Sequence, residues 1–406
     1  MTGGPGTLNA DQLPPDRQPV IIAARRTAIR RANGALKDLR AHQLLAPVLA
    51  HLLAESSIPA EAITDVVIGN AVGGGGNVAR LSLLDAGLPV SVPGLTVDRQ
   101  CGSGLDAIAL AARLVAGGGS PIYLAGGVES ISTAPLRAHR IDDGEPDFFP
   151  RAQFVPHSFG DPDMGVAAEN VAARFEISRD RQDAFSLASH QRAVAAGKAG
   201  LFTGEITPLE TRAGSISTDD GPRPRLNSAV LSRFPPAFVE GGTVTAGNSC
   251  FDADAASGVV ITSLERAREL GAADGLLVLA TDTAGVEPRL LGIGAAVAAE
   301  RLLAAADQSV AGVGLVEFNE AFASQALACL DYLGIEPDRV NLDGGALALG
   351  HAYGASGAVL VTRVLAQARR NGEDGQLALA LISIAGGMGT AALLRYEQIE
   401  RRRPGA

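Results

Sequence analysis

The sequence predicts an α/β protein built from two related halves, with a loop-rich segment inserted into the first. Three observations carry this. Short apolar, β-rich runs alternate with longer helical ones along most of the chain, the pattern of layered α/β folds. A strand–glycine–helix pattern occurs near residue 101 and again near residue 354. In the middle of the chain, residues 132–245 lose the alternation and include the loop-like, aromatic stretch IDDGEPDFFPRAQFVPHSFGDPDMG.

Taken in order, residues 1–18 are polar, rich in Gly and Pro, and read as a flexible start without the apolar stretch of a signal peptide. PVIIAA (19–24) reads as a strand, 42–56 as a helix and DVVIG (65–69) as a strand. GLTVDRQCGSGLDAIALAARLVAGG (94–118) reads as strand, tight turn and helix. The inserted region holds a helical stretch over 164–200, in which Ser178 is a good N-cap. LLVLATDTAG (276–285) reads as a strand, and LGIGAAVAAERLLAAA (291–306) leads into a helix. GLVEFN (314–319) and LALALISIAGG (377–387) read as buried strands, and 398–406, ending RRRPGA, as a tail.

The repeat is visible in two places. CGSG (101–104) followed by LDAIALAARLVAGG matches GASG (354–357) followed by AVLVTRVLAQARRNG. YLAGGVES (123–130) matches SIAGGMGT (383–390). A duplicated α/β unit accounts for both. It divides the chain into a first half, 19–131 with 246–284, the inserted segment 132–245, and a second half, 285–397.

Composition excludes several classes of function. The chain has 406 residues, is 47% hydrophobic but only 4% aromatic, and has no Trp, so its core is built from Ala, Val, Leu and Ile. Net charge is −10 and pI about 5.2, and no basic stretch is long enough to hold nucleic acid or an anionic membrane. Arg25, Arg26, Arg30 and Arg31 form a short basic cluster that reads as a solvated face. No run of about 18 apolar residues predicts a membrane span. Cys101, Cys250 and Cys329 are too far apart in sequence for a disulfide framework or zinc cluster, which favours a reducing cytoplasm. Nothing in the sequence calls for a metal or redox cofactor.

Chemistry concentrates in four loops. Cys101 follows a strand and opens a helix, where unpaired N–H groups favour an anion and are expected to depress the thiol pKa. Gly102 and Gly104 leave room for close approach of a ligand or backbone. FNEAFA (318–323) ends a strand on Asn319 and Glu320, and DGGALALGHAYGASGA (343–358) sets His351 in a glycine-rich turn. SIAGGMG (383–389) is the fourth. A Cys and a His from distant segments are the parts of an activated thiolate. There is no GxxxxGK[ST] or HExxH, and GGGG at 73–76 lacks dinucleotide-site spacing.

In their order along the chain, VDRQCGSG, NEAFA, GGALALGHAYGASGA and AGGMGTA resemble the thiolase family. GGVES (126–130), AEN (168–170), SRDRQDAF (178–185) and GTVTAGN (242–248) extend the resemblance over roughly residues 19–396. The resemblance implies a duplicated five-layered αβαβα fold with an inserted loop domain that binds coenzyme A. It implies reversible Claisen condensation and thiolysis of a 3-ketoacyl-CoA by ping-pong chemistry. Coenzyme A thioesters would be substrates rather than cofactors, and the assembly a homodimer or homotetramer. Cys101 would be the nucleophile. His351 would activate the thiol and, with a water held by Asn319, stabilise the thioester oxyanion. The backbone N–H groups of Cys101 and Ala385 would form a second oxyanion site. Arg223 would contact the nucleotide end, and Met164 and Phe322 would line the pantetheine and acyl path.

The departures from the family pattern bear on mechanism. Ser383 stands where thiolases carry a second catalytic cysteine that shuttles the α-carbon proton. A thiol titrates near 8.5, whereas a serine hydroxyl does not ionise near neutral pH. General acid–base help is worth about 10²–10⁴-fold, so its loss would impair C–C chemistry more than acyl-enzyme formation. Cys250 replaces a pocket serine and is a second candidate thiol; Asp163 replaces a common histidine and would place a carboxylate near pantetheine, with His157 nearby. Ala352 replaces a proline beside His351, which is expected to loosen that loop. FFPRAQF (148–154) points to an altered acyl pocket, and Cys329 reads as core. Three functions follow: a thiolase-type acyltransferase; an acyltransferase or thioester hydrolase that forms acyl-Cys101 without efficient Claisen chemistry; and a noncatalytic CoA-binding subunit.

Overall fold

The computed structural model describes residues 8–142, 144–212 and 214–399. The flexible start expected over 1–18 and the tail over 398–406 fall partly outside the described residues. Within them, residues 8–18 are tied down. Leu8 and Ala10 are buried, the Gln18 amide donates to Ala10 O and Leu13 O, and Asp11 pairs with Arg395.

The chain runs through β1 (Pro19–Arg26), α1 (Ala41–Ser56), β2 (Asp65–Gly69), α2 (Val78–Asp85), β3 (Gly94–Val97), α3 (Ser103–Ala116) and β4 (Tyr123–Glu129). The inserted region carries α4 (Met164–Arg174) and α5 (Arg179–Lys198) among short two-stranded ribbons. The helical stretch expected over 164–200 is therefore two helices, and the Ser178 hydroxyl caps the second by accepting the Arg181 N–H. β5 (Ala253–Ser263) follows. Then come β6 (Asp274–Gly285), α6 (Gly294–Ala305), β7 (Val313–Phe318), α7 (Ala323–Leu333), α8 (Tyr353–Asn371), β8 (Leu377–Ile384) and β9 (Met388–Gln398).

The strands pair in the order β7-β8-β9-β6-β1-β5-β4-β2-β3, with Arg30–Arg31 added beside β5. Read outward from the β6–β1 junction, the two sides repeat. β5 lies beside β1 as β9 lies beside β6, and then β4 and β2 match β8 and β7. The sequence echoes fall on equivalent elements: YLAGGVES on β4, SIAGG at the end of β8, and the two glycine–helix motifs on α3 and α8.

Side-chain alternation along the strands builds the layers. Ala378, Ala380 and Ile382 of β8, with Val67, Ala125 and Val259 of the other half, enclose Leu105 and Ile108 of α3 and Val361 and Val364 of α8. The alternate residues Leu379 and Leu381 join Ala295 and Leu302 of α6 on the outer face, as α1 covers the other half. The order is helix, sheet, paired central helices, sheet, helix. The central helices touch closely: a Cβ on Gly357 would lie 2.5 Å from Leu105 N.

Arg26 corrects the reading of a solvated basic face. It is fully buried and pairs with Glu205 and Asp219, and its guanidinium lies 5.4 Å from the Phe202 ring centroid. Arg363 of α8 reaches the same Glu205 at 2.9 Å. This ionic cluster joins β1 to the inserted region. A buried guanidinium requires such partners, and they come from residues about 180 positions away that no local pattern links.

Candidate active site

Cys101 lies in a single 3₁₀ turn, Gln100–Gly102, that runs directly into α3. Gln100 takes φ = 46°, a left-handed conformation that costs a non-glycine residue about 1 kcal/mol or more. The turn is held by hydrogen bonds at both ends. Asp98 accepts the Gln100 N–H at 2.7 Å, and the Ser103 hydroxyl accepts the Arg99 N–H and donates to Gln100 O. Gly102 has no space for a side chain: a Cβ would lie 2.4 Å from Ile384 Cδ1. The backbone N–H groups of Ala385 and of Cys101 itself point at Sγ. Burial nevertheless pushes the thiol up to about 12, with Glu129 and Asp252 adding to the effect against those N–H groups. The depressed thiol pKa expected from the helix N-terminus is corrected accordingly: desolvation of the thiolate outweighs the dipole.

His351 is buried, and its Nδ1 lies 2.7 Å from the Ser356 hydroxyl. That hydroxyl also accepts the Ala352 N–H at 3.1 Å. Its proton is therefore best placed toward Nδ1, which assigns the imidazole proton to Nε2. Nε2 is buried and has no hydrogen-bond partner among the described residues, and the same holds for Nδ2 of Asn319. Burial lowers the His351 pKa to about 4, so the resting pair is neutral imidazole and neutral thiol. Asn319 and Ser356 line one small cavity. Glu320 braces these loops, its buried carboxylate accepting from Ser189, Asn341 and the Leu347 N–H. Glu129 does the same for the start of α8, accepting from Asn70 and from the N–H groups of Ala71, Val72 and Gly354.

Ser383 behaves differently. It follows the parity of Leu379 and Leu381, so its side chain faces the outer helical layer. Its hydroxyl donates to Gly292 O at 2.7 Å. It accepts the Ala295 N–H at 3.3 Å and the Gln325 amide at 3.2 Å. One donor and two acceptor positions are all a hydroxyl has. The Cys329 thiol of α7, fully buried, shares the Gly292 carbonyl at 3.1 Å.

Cys250 reaches the Cys101 side of the site. Its N–H donates to Ala321 O at 2.9 Å, its neighbour Ser249 bridges to Phe322, and burial with the charge of Asp252 raises its pKa. Phe322 stacks edge-on against Phe238 at 6.0 Å. Gly165, next to Met164 at the start of α4, lies under the Phe238 ring, where a Cβ would come within 2.1 Å. Asp163 is exposed and paired with Arg151 at 2.8 Å, so the carboxylate expected near pantetheine is compensated by an arginine; His157 is not its partner. Arg223 is exposed at the rim, its N–H donating to His190 Nδ1 at 3.2 Å. Arg31, stacked 3.9 Å over Phe251, has its pKa lowered by burial and by Arg223, a pair of like charges that an anion would relieve.

Family models for the thiolase N-terminal domain and the thiolase C-terminal domain match residues 19–265 and 276–396. The chain belongs to the thiolase family. Thiolase relatives include VraB of Staphylococcus epidermidis, named as a candidate acetyl-CoA C-acetyltransferase. It is 42% identical over 381 residues, spanning 93% of this chain and 98% of that protein. The acetyl-CoA acetyltransferase of Bacillus anthracis superposes with a TM-score of 0.85 at 31% identity, over 94% of this chain and 99% of that one. Human mitochondrial 3-ketoacyl-CoA thiolase gives 0.86 at 31%, over 93% and 99%. The chain is a thiolase-type acyltransferase.

Against the thiolase pattern, Ala352 does not loosen the His351 loop. Its N–H makes the bond to Ser356 that a proline could not make. Phe154, the last residue of FFPRAQF, backs onto the glycine-rich loop after β8, its carbonyl 3.5 Å from a Cβ built on Gly386. Sequence reasoning missed Tyr353 and Asp252. The Tyr353 hydroxyl donates to Asp252 at 2.6 Å, and its ring meets His351 edge-on at 5.2 Å. Tyr353 stood inside the quoted stretch 343–358, two residues after His351, and Asp252 two residues after Cys250. Phe238 carried no local signal, and Arg31 showed only as part of the short basic cluster.

Proposed function

We propose that the protein transfers acyl groups between coenzyme A thioesters through an acyl-Cys101 intermediate, in reversible condensation and thiolysis of a 3-ketoacyl-CoA. The observation that carries this is the placement of Cys101 Sγ before two backbone N–H groups, its own and that of Ala385. His351, with Nε2 buried and unpaired among the described residues, is the second element. In this reading the Cys101 proton passes by way of His351 to the departing coenzyme A sulfur. Because the resting thiol is neutral, deprotonation accompanies attack on the thioester. Charge developing on the thioester oxygens is met by preorganised N–H donors, with Asn319 holding a water beside His351. Met164, Phe238 and Phe322 line the pantetheine path, and Arg223 with Arg31 meets the phosphates. The working assembly is a homodimer or homotetramer.

A second reading, acyl transfer or thioester hydrolysis without Claisen chemistry, is favoured by one observation: the Ser383 hydroxyl is fully engaged by Gly292, Ala295 and Gln325. Two measurements separate the readings. Acetyl-CoA should leave one acetyl group on the Cys101 peptide by mass spectrometry, and Cys101→Ala should leave none. Acetoacetyl-CoA with free coenzyme A should then be cleaved to two acetyl-CoA. An adduct with no cleavage favours the second reading. Failure of a panel of acyl-CoAs to modify Cys101 removes both and leaves a noncatalytic CoA-binding subunit.

A further inference from the structure

We infer that the Asp252 carboxylate, held in place by the Tyr353 hydroxyl beside His351, is the group that moves the α-carbon proton in the Claisen step. The inference rests on the acyl-Cys101 reading above. It answers the question left open by Ser383, whose hydroxyl has no free position with which to accept a proton.

The geometry is built from two loops. Asp252 and His351 pair backbone to backbone, the His351 N–H donating to Phe251 O and the Ala253 N–H to His351 O. Tyr353, two residues beyond His351, sets its ring against the imidazole at 5.2 Å and 72° and gives its hydroxyl proton to Asp252 Oδ1 at 2.6 Å. The carboxylate is thus fixed to the loop that carries His351, while its residue stays exposed to solvent. It also reaches the nucleophile electrostatically, since its charge raises the pKa of Cys101, Cys250 and Tyr353 alike. Cys250 is the alternative thiol, but burial raises its pKa, and among the described residues no side-chain hydrogen bond orients it.

The step balances. With an acyl group on Cys101 and a second acyl-CoA bound, a proton leaves C2 for the Asp252 carboxylate. The C2 electron pair forms a C–C bond to the acyl carbon, the bond from that carbon to Sγ breaks, and Sγ keeps the pair. Asp252 then returns the proton to Sγ, restoring neutral thiol and carboxylate. Thiolysis is the same path reversed. A solvent-exposed carboxylate also lets the proton exchange with water between the two transfers.

That exchange is the test. The protein is incubated with acetyl-CoA in deuterium oxide, and deuterium entering the acetyl methyl group is followed by mass spectrometry beside acetylation of Cys101. The intact protein should do both. Asp252→Asn should cut exchange by about 10²–10⁴-fold while the Cys101 adduct still accumulates, and Tyr353→Phe should give a smaller loss of exchange. Exchange that survives Asp252→Asn, or that falls in Cys250→Ser instead, would overturn the inference. So would an intact protein that acetylates Cys101 yet never exchanges. Absence of the adduct in the intact protein would instead remove the acyl-Cys101 reading on which the inference stands.

Discussion

Gly104 and Gly354 meet backbone to backbone: a Cβ on Gly104 would lie 2.6 Å from the Gly354 carbonyl oxygen. Each glycine follows a reactive residue by three positions, Cys101 and His351. This contact therefore sets how the two loops that carry the Cys101 thiol and the His351 imidazole sit against each other. Gly127 of β4 closes the third side, where a Cβ would come within 1.9 Å of the same oxygen. Gly104→Ala should force α3 and α8 apart, at about 1–3 kcal/mol of stability. The activity loss should exceed what partial unfolding explains, because Cys101 is displaced. Thermal unfolding and steady-state thiolysis measured together check this.

The Cys101 thiol should alkylate slowly in the free protein. With burial holding its pKa near 12, the thiol is protonated at neutral pH. The thiolate fraction then rises about tenfold per pH unit throughout the range below that pKa. The rate of iodoacetamide labelling at Cys101 should climb with pH without levelling between about pH 6 and pH 9. A plateau reached by neutral pH would mean that the helix terminus outweighs desolvation after all.

His351→Ala should lower kcat/KM for thiolysis by about 10²–10³-fold, the cost of one oxyanion donor or more. Ser356→Ala should act chiefly through His351, since its hydroxyl fixes Nδ1 besides accepting the Ala352 N–H. A fall of about tenfold in kcat with little change in KM is expected. Equal losses in both variants would show that Ser356 supports the loop rather than orienting the ring.

Ser383→Ala should behave as a packing change. It leaves the Ala295 N–H and the Gln325 amide without their shared acceptor, which costs about 1–3 kcal/mol. Deuterium exchange into acetyl-CoA should persist. Loss of exchange in a protein that stays folded would return the proton-transfer role to Ser383.

Arg26→Met should destabilise the fold by about 3–5 kcal/mol, because it strips Glu205 and Asp219 of a buried partner. Denaturant unfolding with an unchanged m-value would show the loss is in stability rather than in the unfolded state.

Much of this protein is legible without coordinates. Strand runs such as PVIIAA and DVVIG, the helix after CGSG and the duplication of that motif in GASG are local patterns. They were readable because side-chain period and glycine requirement are properties of a few adjacent residues. The thiolase likeness was readable for the same reason, since its motifs are short and ordered. Tertiary structure decided the rest. Ser383 looks like a site residue in SIAGGMG, but which face of β8 it occupies depends on the helices that cover each side. Arg26 looks solvated in ARRTAIRR, but its anions arrive from the inserted region. Cys101 looks activated at a helix terminus, but the balance between dipole and desolvation is set by everything packed around the thiol. Asp252 and Tyr353 lie 101 residues apart, and only the pairing of their two loops makes them one unit. Charge, burial and facing are sums over neighbours in space, and a sequence lists only neighbours along the chain.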